Sequence, residues 1–347
     1  MRVGIYTQYS HCDQAYLSIR LVNFLRSRGV DFDIYSDRQP GKLGLQYDAA
    51  VCHRDVRKYT EWLQRQTTVV WTHVPKVEQL SLAEKNGKQT IVVPLWQELM
   101  PPFKRAIRRA DVVVALSKEE HELYSSIYNF RRTILIPFDA GLPIVKKEAS
   151  TDPRAVKVFL PWFDRNARCA NSEFLAGLGY LFERMPDGYL TIAITSSQFS
   201  PSIAKYFQTL GKKTDGRVRL IRNVPYSGRA SLYTEHDLTL FPAECDNYGH
   251  CLLSSINCGT PVVTLATAPQ TDFVYQEANG VLVKTKIDYD EFGVPHAATN
   301  YEKLFSTLQS LIAEPWHIDR INQKITYNLV SRRSHFEQGW ESILQLN

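Results

Sequence analysis

Two hydrophobic periodicities take turns along this chain. Short apolar runs of strand length fall at residues 2–7, 30–35, 49–52, 68–71, 91–93, 111–115 and 133–137. Segments of helical spacing stand between several of them. Leu17, Leu21, Phe24 and Leu25 share one face of a helix over 15–28, and Gly29 suits its C-terminal end. Further helices are predicted at 59–65, 103–109 and 117–128. The last has Ser117 as N-cap, with Glu119 and Glu120 in its first turn, where the helix dipole favours carboxylates. Strands alternating with helices predict a parallel, doubly wound sheet. The pattern breaks at 138–154, FDAGLPIVKKEASTDPR, which is rich in turn formers and charge and reads as a linker. It resumes with strands at 156–160, 189–195, 218–221, 238–241, 261–265 and 280–283, and helices at 172–184, 200–210 and 227–235. Residues 284–300 read as an irregular insertion, and 301–313 and 318–346 as helices. The expectation is an α/β chain of two doubly wound domains, 1–150 and 151–330.

The stretch 238–263, LTLFPAECDNYGHCLLSSINCGTPVV, holds the densest chemistry. An apolar strand leads into a polar, turn-prone loop. Gly249 then opens a segment of helical spacing through Leu252, Leu253 and Ile256. Cys258-Gly259-Thr260-Pro261 stops that helix, because Gly suits a C-cap and Pro cannot continue. A loop feeding a helix N-terminus at the carboxyl end of a strand is where α/β proteins hold anionic ligands.

Composition changes this picture only at the margins. Of the 347 residues, 44% are apolar and 22% charged, which is ordinary for a globular protein with real cores. No apolar run reaches the roughly 18 residues that span a bilayer. The first residues, MRVGIYTQYS, read at once as a strand without the apolar region of a signal peptide. The six cysteines, at 12, 52, 169, 245, 251 and 258, form no CxxC pair and read as reduced thiols without a metal site. The expected location is cytoplasmic. Residues 1–150 carry 22 Lys+Arg against 16 Asp+Glu, and the remainder 19 against 20, so the N-terminal half holds all the net charge of +5. Its main carrier is Lys104, Arg105, Arg108 and Arg109, on one broad face of a predicted helix. That face suits an anionic surface, either membrane phospholipid or a nucleic-acid backbone, or simply solvent. Two Asp-x-Asp triplets, at 31–33 and 288–290, lie at a strand start and in the insertion, and read as incidental.

With two such domains, the 238–263 stretch resembles retaining glycosyltransferases of the B-type fold, in particular family 4 within glycosyltransferase group 1. That family carries the pattern Pro-Ser-x-x-Glu-Gly-Phe-Gly-x-x-x-x-Glu-Ala-x-x-x-Gly-x-Pro-Val. In one ungapped register Pro242, Tyr248-Gly249 and Gly259-Thr260-Pro261-Val262 fit it. Asp246 then stands for the first Glu and Ser254 for the second, so the acidic pair is half kept. The resemblance implies two Rossmann-like domains facing a cleft, with an N-terminal acceptor side and a C-terminal nucleotide-sugar donor side. It also implies that 331–347 is a helix crossing back to the first domain.

The same resemblance distributes roles. Asp246, Arg168 and His73 form the catalytic set, with the Asp246 carboxylate facing sugar hydroxyls. Arg165 and Arg168, in PWFDRNARCAN at 161–171, are expected on the donor diphosphate, where a guanidinium bridges two phosphate oxygens. Donor contacts further include Asn223 and Val224, expected to read the nucleobase by backbone, and Tyr248, Gly249, His250, Cys251 and Ser254. The loop 8–14, QYSHCDQ, stands where the family has a Gly-rich loop; it has no glycine and offers His11 and Asp13 on the acceptor side, together with Lys118. Residues 268–273 are expected to shape the floor under the diphosphate. The implied activity is metal-independent sugar transfer, with retention, from a nucleoside diphosphate sugar to an acceptor hydroxyl. No cofactor is expected, and UDP- and GDP-sugars both remain open. The acceptor is open among glycan, lipid and DNA. Alternatives are a transferase acting on modified DNA bases, which the basic half would serve, and a non-catalytic nucleotide-sugar-binding protein, which Ser254 makes conceivable.

Overall fold

The computed structural model describes residues 1–7, 13–36, 50–52, 56–96, 99, 101–142, 145, 147, 155–162, 172–184, 188–194, 201–222, 224, 228–246, 248–298, 301–325 and 329–346. The chain divides into two compact units. Unit 1 comprises Met1–Ala140, Glu291–Val294 and Ser331–Asn347, and unit 2 comprises Gly141–Asp290 and Pro295–Val330.

Unit 1 is built on a parallel sheet of β1 (Arg2–Tyr6), β2 (Asp31–Ser36), β3 (Ala50–Cys52), β4 (Thr68–Trp71), β5 (Gln89–Val92), β6 (Val112–Ala115) and β7 (Thr133–Leu135). Their order is β3-β2-β1-β4-β5-β6-β7, with the reversal at β1 that marks a doubly wound sheet. Register is set at the centre by Val3 opposite both Phe32 and Thr68. Strands β4 and β6 are buried along their whole length, as expected when helices cover both faces. The helices are α1 (Asp13–Ser27), α2 (Val56–Gln64), α3 (Val77–Lys85), α4 (Pro101–Ile107) and α5 (Lys118–Glu122), and the last runs into a π-helical turn at Leu123–Ile127.

Unit 2 repeats the design. Strands β8 (Val156–Trp162), β9 (Gly188–Ile194), β10 (Val218–Ile221), β11 (Leu238–Phe241), β12 (Val262–Leu265) and β13 (Gly280–Val283) form a parallel sheet in the order β10-β9-β8-β11-β12-β13. Helices α6 (Ser172–Arg184), α7 (Pro201–Lys213), α8 (Arg229–Thr234), α9 (His250–Asn257) and α10 (Gln270–Phe273) follow its strands. One core joins Val158, Leu160, Leu238, Leu240, Val263 and Leu265 of the sheet to Phe174, Leu178 and Leu181 of α6 and to Leu304 and Leu308 of α11 (Tyr301–Ala313).

Four expectations need correction. The insertion at 284–300 contains an antiparallel hairpin, β14 (Lys286–Tyr289) with β15 (Pro295–Ala298), in which Ile287 faces Ala297. All four residues of β14 are exposed, so no apolar run announces it. The helix α3 is missing from the hydrophobic reading. It buries only Leu80 and Ala83, and its N-terminus has no Ser, Thr, Asp or Asn cap; instead Lys76 N donates to Gln79 Oε1 at 2.9 Å. The predicted helix over 318–346 is two, α12 (Trp316–Asn322) and α13 (Leu329–Leu344). Finally, the helix capped by Ser117 changes pitch at Leu123, although the cap itself stands, with Glu120 N donating to Ser117 Oγ at 3.2 Å.

Candidate functional site

The carboxyl edge of the second sheet brings Asp246, Tyr248, Gly249, His250 and Cys251 to the start of α9. Strand β11 ends at Phe241, and Pro242–Asp246 lead to Tyr248 and Gly249. Gly249 is the N-cap of α9, at φ 70°, ψ 28°. That left-handed conformation costs glycine nothing and other residues energy. A second constraint coincides: a Cβ here would stand 2.2 Å from the Phe273 ring of α10. The Gly249 carbonyl accepts the first helical bond, from Leu253 N at 2.8 Å. Gly249 brings no side chain of its own to cap this N-terminus. An α-helix gives its leading N–H groups no partner of its own, so this end is a site of positive potential for anions.

The surroundings hold that end rigid. Ser255 Oγ lies 2.8 Å from the Thr260 carbonyl oxygen and 2.7 Å from Thr239 Oγ1, tying α9 to β11 and to its own C-terminus. Thr264 Oγ1 donates to the Phe241 carbonyl at 2.7 Å, joining β12 to the end of β11. Gln270 Nε2 donates to the Ala243 carbonyl at 3.0 Å, which fixes the loop after β11 against α10. Ala297 N donates to the Glu244 carbonyl at 2.8 Å, and Tyr301 Oη to Glu244 Oε1 at 3.2 Å. The hairpin and α11 thus brace the same loop.

Within this frame the predicted residues divide by what they can offer. Asp246 is partly buried in the loop entering α9. Tyr248 is fully buried, and Val224 lies in a core cluster with Phe159, Tyr233 and Cys258, so the apolar Val224 can offer hydrogen bonds only through backbone. His250 is buried as well. Desolvation first, and the Arg229 guanidinium second, push its imidazole well below the usual histidine range, so it is neutral at physiological pH. The positive potential at this helix end is therefore owed to peptide groups and not to an imidazolium. Cys251 is partly exposed, with Sγ 3.7 Å from His250 Nδ1. Ser254 is 2% exposed on a helix that buries seven of its eight residues. Arg165, Arg168 and Asn223 lie outside the described residues.

In unit 1 the predicted residues also stand at carboxyl ends of strands. His73 follows β4, is buried, and packs its ring 5.0 Å from that of Tyr6. Lys118 follows β6 as the exposed first residue of α5. Asp13 is the first residue of α1, not part of the loop before it, and His11 lies outside the described residues. Sequence reasoning missed Glu120. It is fully buried at the carboxyl edge, where Oε2 accepts from Leu116 N at 2.7 Å. Burial drives its carboxyl up to about 8 against the pull of the Leu116, Ser117 and Trp96 N–H groups. The only signal was its place three residues after Ser117, which reads equally as a capping box.

The basic face of α4 is largely engaged. Lys104 Nζ sits 3.9 Å from the Tyr128 ring centroid and 5.7 Å from that of Phe292, Arg108 Nη2 reaches the Tyr128 carbonyl at 3.4 Å, and Arg109 pairs with Glu84. Arg105 is exposed. The Asp-x-Asp triplets are occupied too. Asp33 receives Arg2 and Gln66, each at 3.0 Å, Asp288 pairs with Lys286 at 2.8 Å, and Asp290 lies 3.3 Å from His296. Among the described residues no three His, Cys, Asp or Glu side chains group as a metal site, and no described helix is long and apolar enough to cross a membrane.

Comparison with known proteins points the same way. Residues 205–293, from α7 through the α9 loop to the hairpin tip, match the family model of the glycosyl transferases group 1. No curated protein sequence matches the chain. Sucrose-phosphate synthase of Thermosynechococcus elongatus is similar in structure over 100% of this chain and 99% of its own, with a TM-score of 0.70 at 15% identity. Anabaena HepE in complex with UDP-glucose is similar over 100% of both chains, with a TM-score of 0.71 at 14% identity. A glycosyltransferase from Rickettsia africae is similar over 100% of this chain and 99% of its own, with a TM-score of 0.70 at 13% identity. At these identities the likeness establishes the fold: two Rossmann-like units of the B-type glycosyltransferase architecture. The segment matched by the group 1 model contains the whole α9 loop.

Proposed function

We propose that this chain transfers a sugar from a nucleoside diphosphate sugar to an acceptor hydroxyl, with retention at the anomeric carbon and without a metal ion. One observation carries the reading. Gly249, required both by its backbone conformation and by Phe273, sets the N-terminus of α9 at the carboxyl end of β11, inside the segment matched by the group 1 model. A diphosphate placed there is met by peptide N–H groups whose orientation is settled before the ligand arrives. The neutral His250 beneath adds shape and not charge. The Asp246 carboxylate, in the loop entering α9, has the chemistry to accept from sugar hydroxyls. Arg165 and Arg168, which follow β8 in sequence, are assigned to the departing diphosphate, where they stabilise the charge that develops as the glycosidic bond breaks. His73 completes the catalytic set. Catalysis of this kind is chiefly positioning and electrostatic stabilisation, and calls for no nucleophile among the side chains described.

The test is a thermal-shift and turnover panel of nucleotides and nucleotide sugars, since a ligand that binds the native state alone must raise the melting temperature. At least one nucleoside diphosphate and its sugar conjugate are expected to raise Tm. Turnover is expected to persist in excess EDTA and to give a product with the donor's anomeric configuration by NMR. An inverted product would refute retention, and loss of turnover in EDTA would refute metal independence. Absence of any shift or turnover across the panel would refute the reading itself.

A further inference from the structure

The loop from β12 to α10 carries two polar atoms that the fold leaves without partners. Thr267 and Gln270 are both 0% exposed, and neither Thr267 Oγ1 nor Gln270 Oε1 has a hydrogen-bond partner among the described residues. Leaving a buried acceptor or hydroxyl unmatched destabilises the fold, because the group has given up water for nothing. Two such atoms stand three residues apart in one loop, and buried polar groups of this kind call for an account. The orientation of the Gln270 amide is fixed, because its Nε2 is committed to the Ala243 carbonyl at 3.0 Å. Its Oε1 is thus an acceptor that waits for a donor.

Their place is as informative as their state. Thr267 stands two residues beyond the end of β12. Gln270 opens α10, whose Phe273 packs directly against Gly249 at the start of α9, and its amide is bonded to the loop after β11. The two atoms therefore lie in the layer formed by the carboxyl ends of β11 and β12 beside the α9 N-terminus. A phosphate cannot satisfy them as a pair, since phosphate oxygens accept and Gln270 Oε1 also only accepts. A hydroxyl can, because it donates to Gln270 Oε1 and exchanges a second hydrogen bond with Thr267 Oγ1.

We infer that Thr267 and Gln270 form a subsite for a hydroxyl group of the transferred sugar and set which donor sugar the protein takes. This rests on reading the α9 edge as a nucleotide-sugar donor site. It differs from the sequence expectation that residues 268–273 form the floor under the diphosphate. The diphosphate belongs to peptide N–H groups at α9, and the orphaned oxygens belong to the sugar. Together with Asp246, they offer acceptors where the family pattern supplies a carboxylate pair and this chain supplies only one acid.

The experiment uses Thr267→Val, which removes the hydroxyl at nearly constant volume, and Gln270→Ala, in the full chain. Dissociation constants are measured by calorimetry for the pairs UDP and UDP-glucose, GDP and GDP-mannose, and ADP and ADP-glucose. UDP-galactose and UDP-xylose serve as analogues that change a single hydroxyl or lose the hydroxymethyl group. Without ligand, Thr267→Val is expected to melt at or above the wild-type temperature, because it deletes an unpaired buried group. For the pair that wild type binds, it is expected to weaken the sugar conjugate about tenfold while leaving the free diphosphate within about twofold, the scale of one lost hydrogen bond to a ligand. Gln270→Ala is expected to reduce discrimination between the epimeric sugars. Equal weakening of diphosphate and conjugate would make the residues structural and overturn the subsite, as would unchanged binding of both, which leaves only ordered water at these oxygens. In either case wild-type binding would keep the donor-site reading intact. A wild type that binds no member of the panel would remove that reading and the subsite with it.

Discussion

Gly249 shows at the scale of one residue how far sequence carries and where it stops. Its position one turn before an apolar helical face, in register with Pro242 and Gly259, marks it as the start of a helix, the one that the proposed function assigns to the donor phosphates. What the register does not contain is Phe273, twenty-four residues later, whose ring occupies the space of a Cβ. Gly249→Ala is therefore expected to do more than pay for a left-handed φ of 70°. Backbone strain of this kind costs about 1–3 kcal/mol, and displacing Phe273 adds to it. The expected outcome is a fall of several degrees in Tm together with at least a tenfold loss of nucleotide affinity, read by differential scanning fluorimetry and calorimetry. An Ala variant with wild-type binding would show that α9 is not the phosphate site. Ser254 teaches the complement. Its sequence position equates it with the second acid of the family pattern, but only burial reveals that it belongs to a helix enclosed on nearly all sides.

At the scale of elements, α13 is the clearest case of a segment whose role is decided by its neighbours. Its sequence, LVSRRSHFEQGWESIL, reads as a charged helix with scattered apolar positions. In unit 1 it buries Phe336 and Trp340, and Phe336 meets Phe24 of α1 at a ring-centroid distance of 6.3 Å. Gly339 would be a poor choice for a helix interior, but a Cβ there would come within 2.9 Å of Ile136 Cγ1, so the contact with the strand β7 exit needs glycine. Around this seam Arg20 of α1 donates to Asp139 at 2.8 Å and to Glu337 of α13 at 3.2 Å, and Arg333 reaches Asp139 at 3.4 Å. Arg20 and Asp139 are 7% and 4% exposed. Removing one member of a buried pair strands the other, at a cost on the order of 3 kcal/mol. Asp139→Ala is thus expected to lower the urea midpoint clearly, whereas Arg20→Met with Asp139→Leu is expected to recover most of the loss. A single variant as stable as wild type would show the network to be superficial. The hairpin β14–β15 was illegible for the opposite reason: a strand exposed on every residue has no buried face to leave a period-two signature.

At the scale of the whole molecule, the balance of buried ionisable groups sets how stability follows pH. Glu120 in the folded protein holds its proton up to about pH 8, against 4.5 as the ordinary value. Between these values the unfolded chain has released a proton that the folded chain keeps, so stability falls as pH rises. His236 works in the other direction. Desolvation lowers it from 6.5 to about 4, so its contribution is complete above 6.5 and is lost as pH falls towards 4. His250 adds to the same loss on the acid side. Of these three groups, only Glu120 still contributes a slope from pH 6.5 to 8. Wild type is expected to lose a few degrees of Tm across that window, the scale of one or two kcal/mol in a chain of this size. Glu120→Gln, which keeps an oxygen to accept from Leu116 N, is expected to flatten the profile and to be the more stable form at pH 8. A parallel decline in both proteins would assign the slope to other groups.

The sequence alone determined the two doubly wound units, most of the strands and helices that alternate within them, and the place of the α9 loop. Each of these is written in local periodicity, in turn chemistry, or in the spacing of a few residues along one helix start. Only the tertiary structure decided that Phe273 meets Gly249, that Gln270 and Thr267 are buried with oxygens unmatched, that Glu120 sits in a medium poor enough in water to hold its proton, and that α13 is stitched to α1 through Asp139. These depend on distances between segments far apart in the chain and on how completely water is excluded between them. A linear pattern of apolar and polar positions records neither.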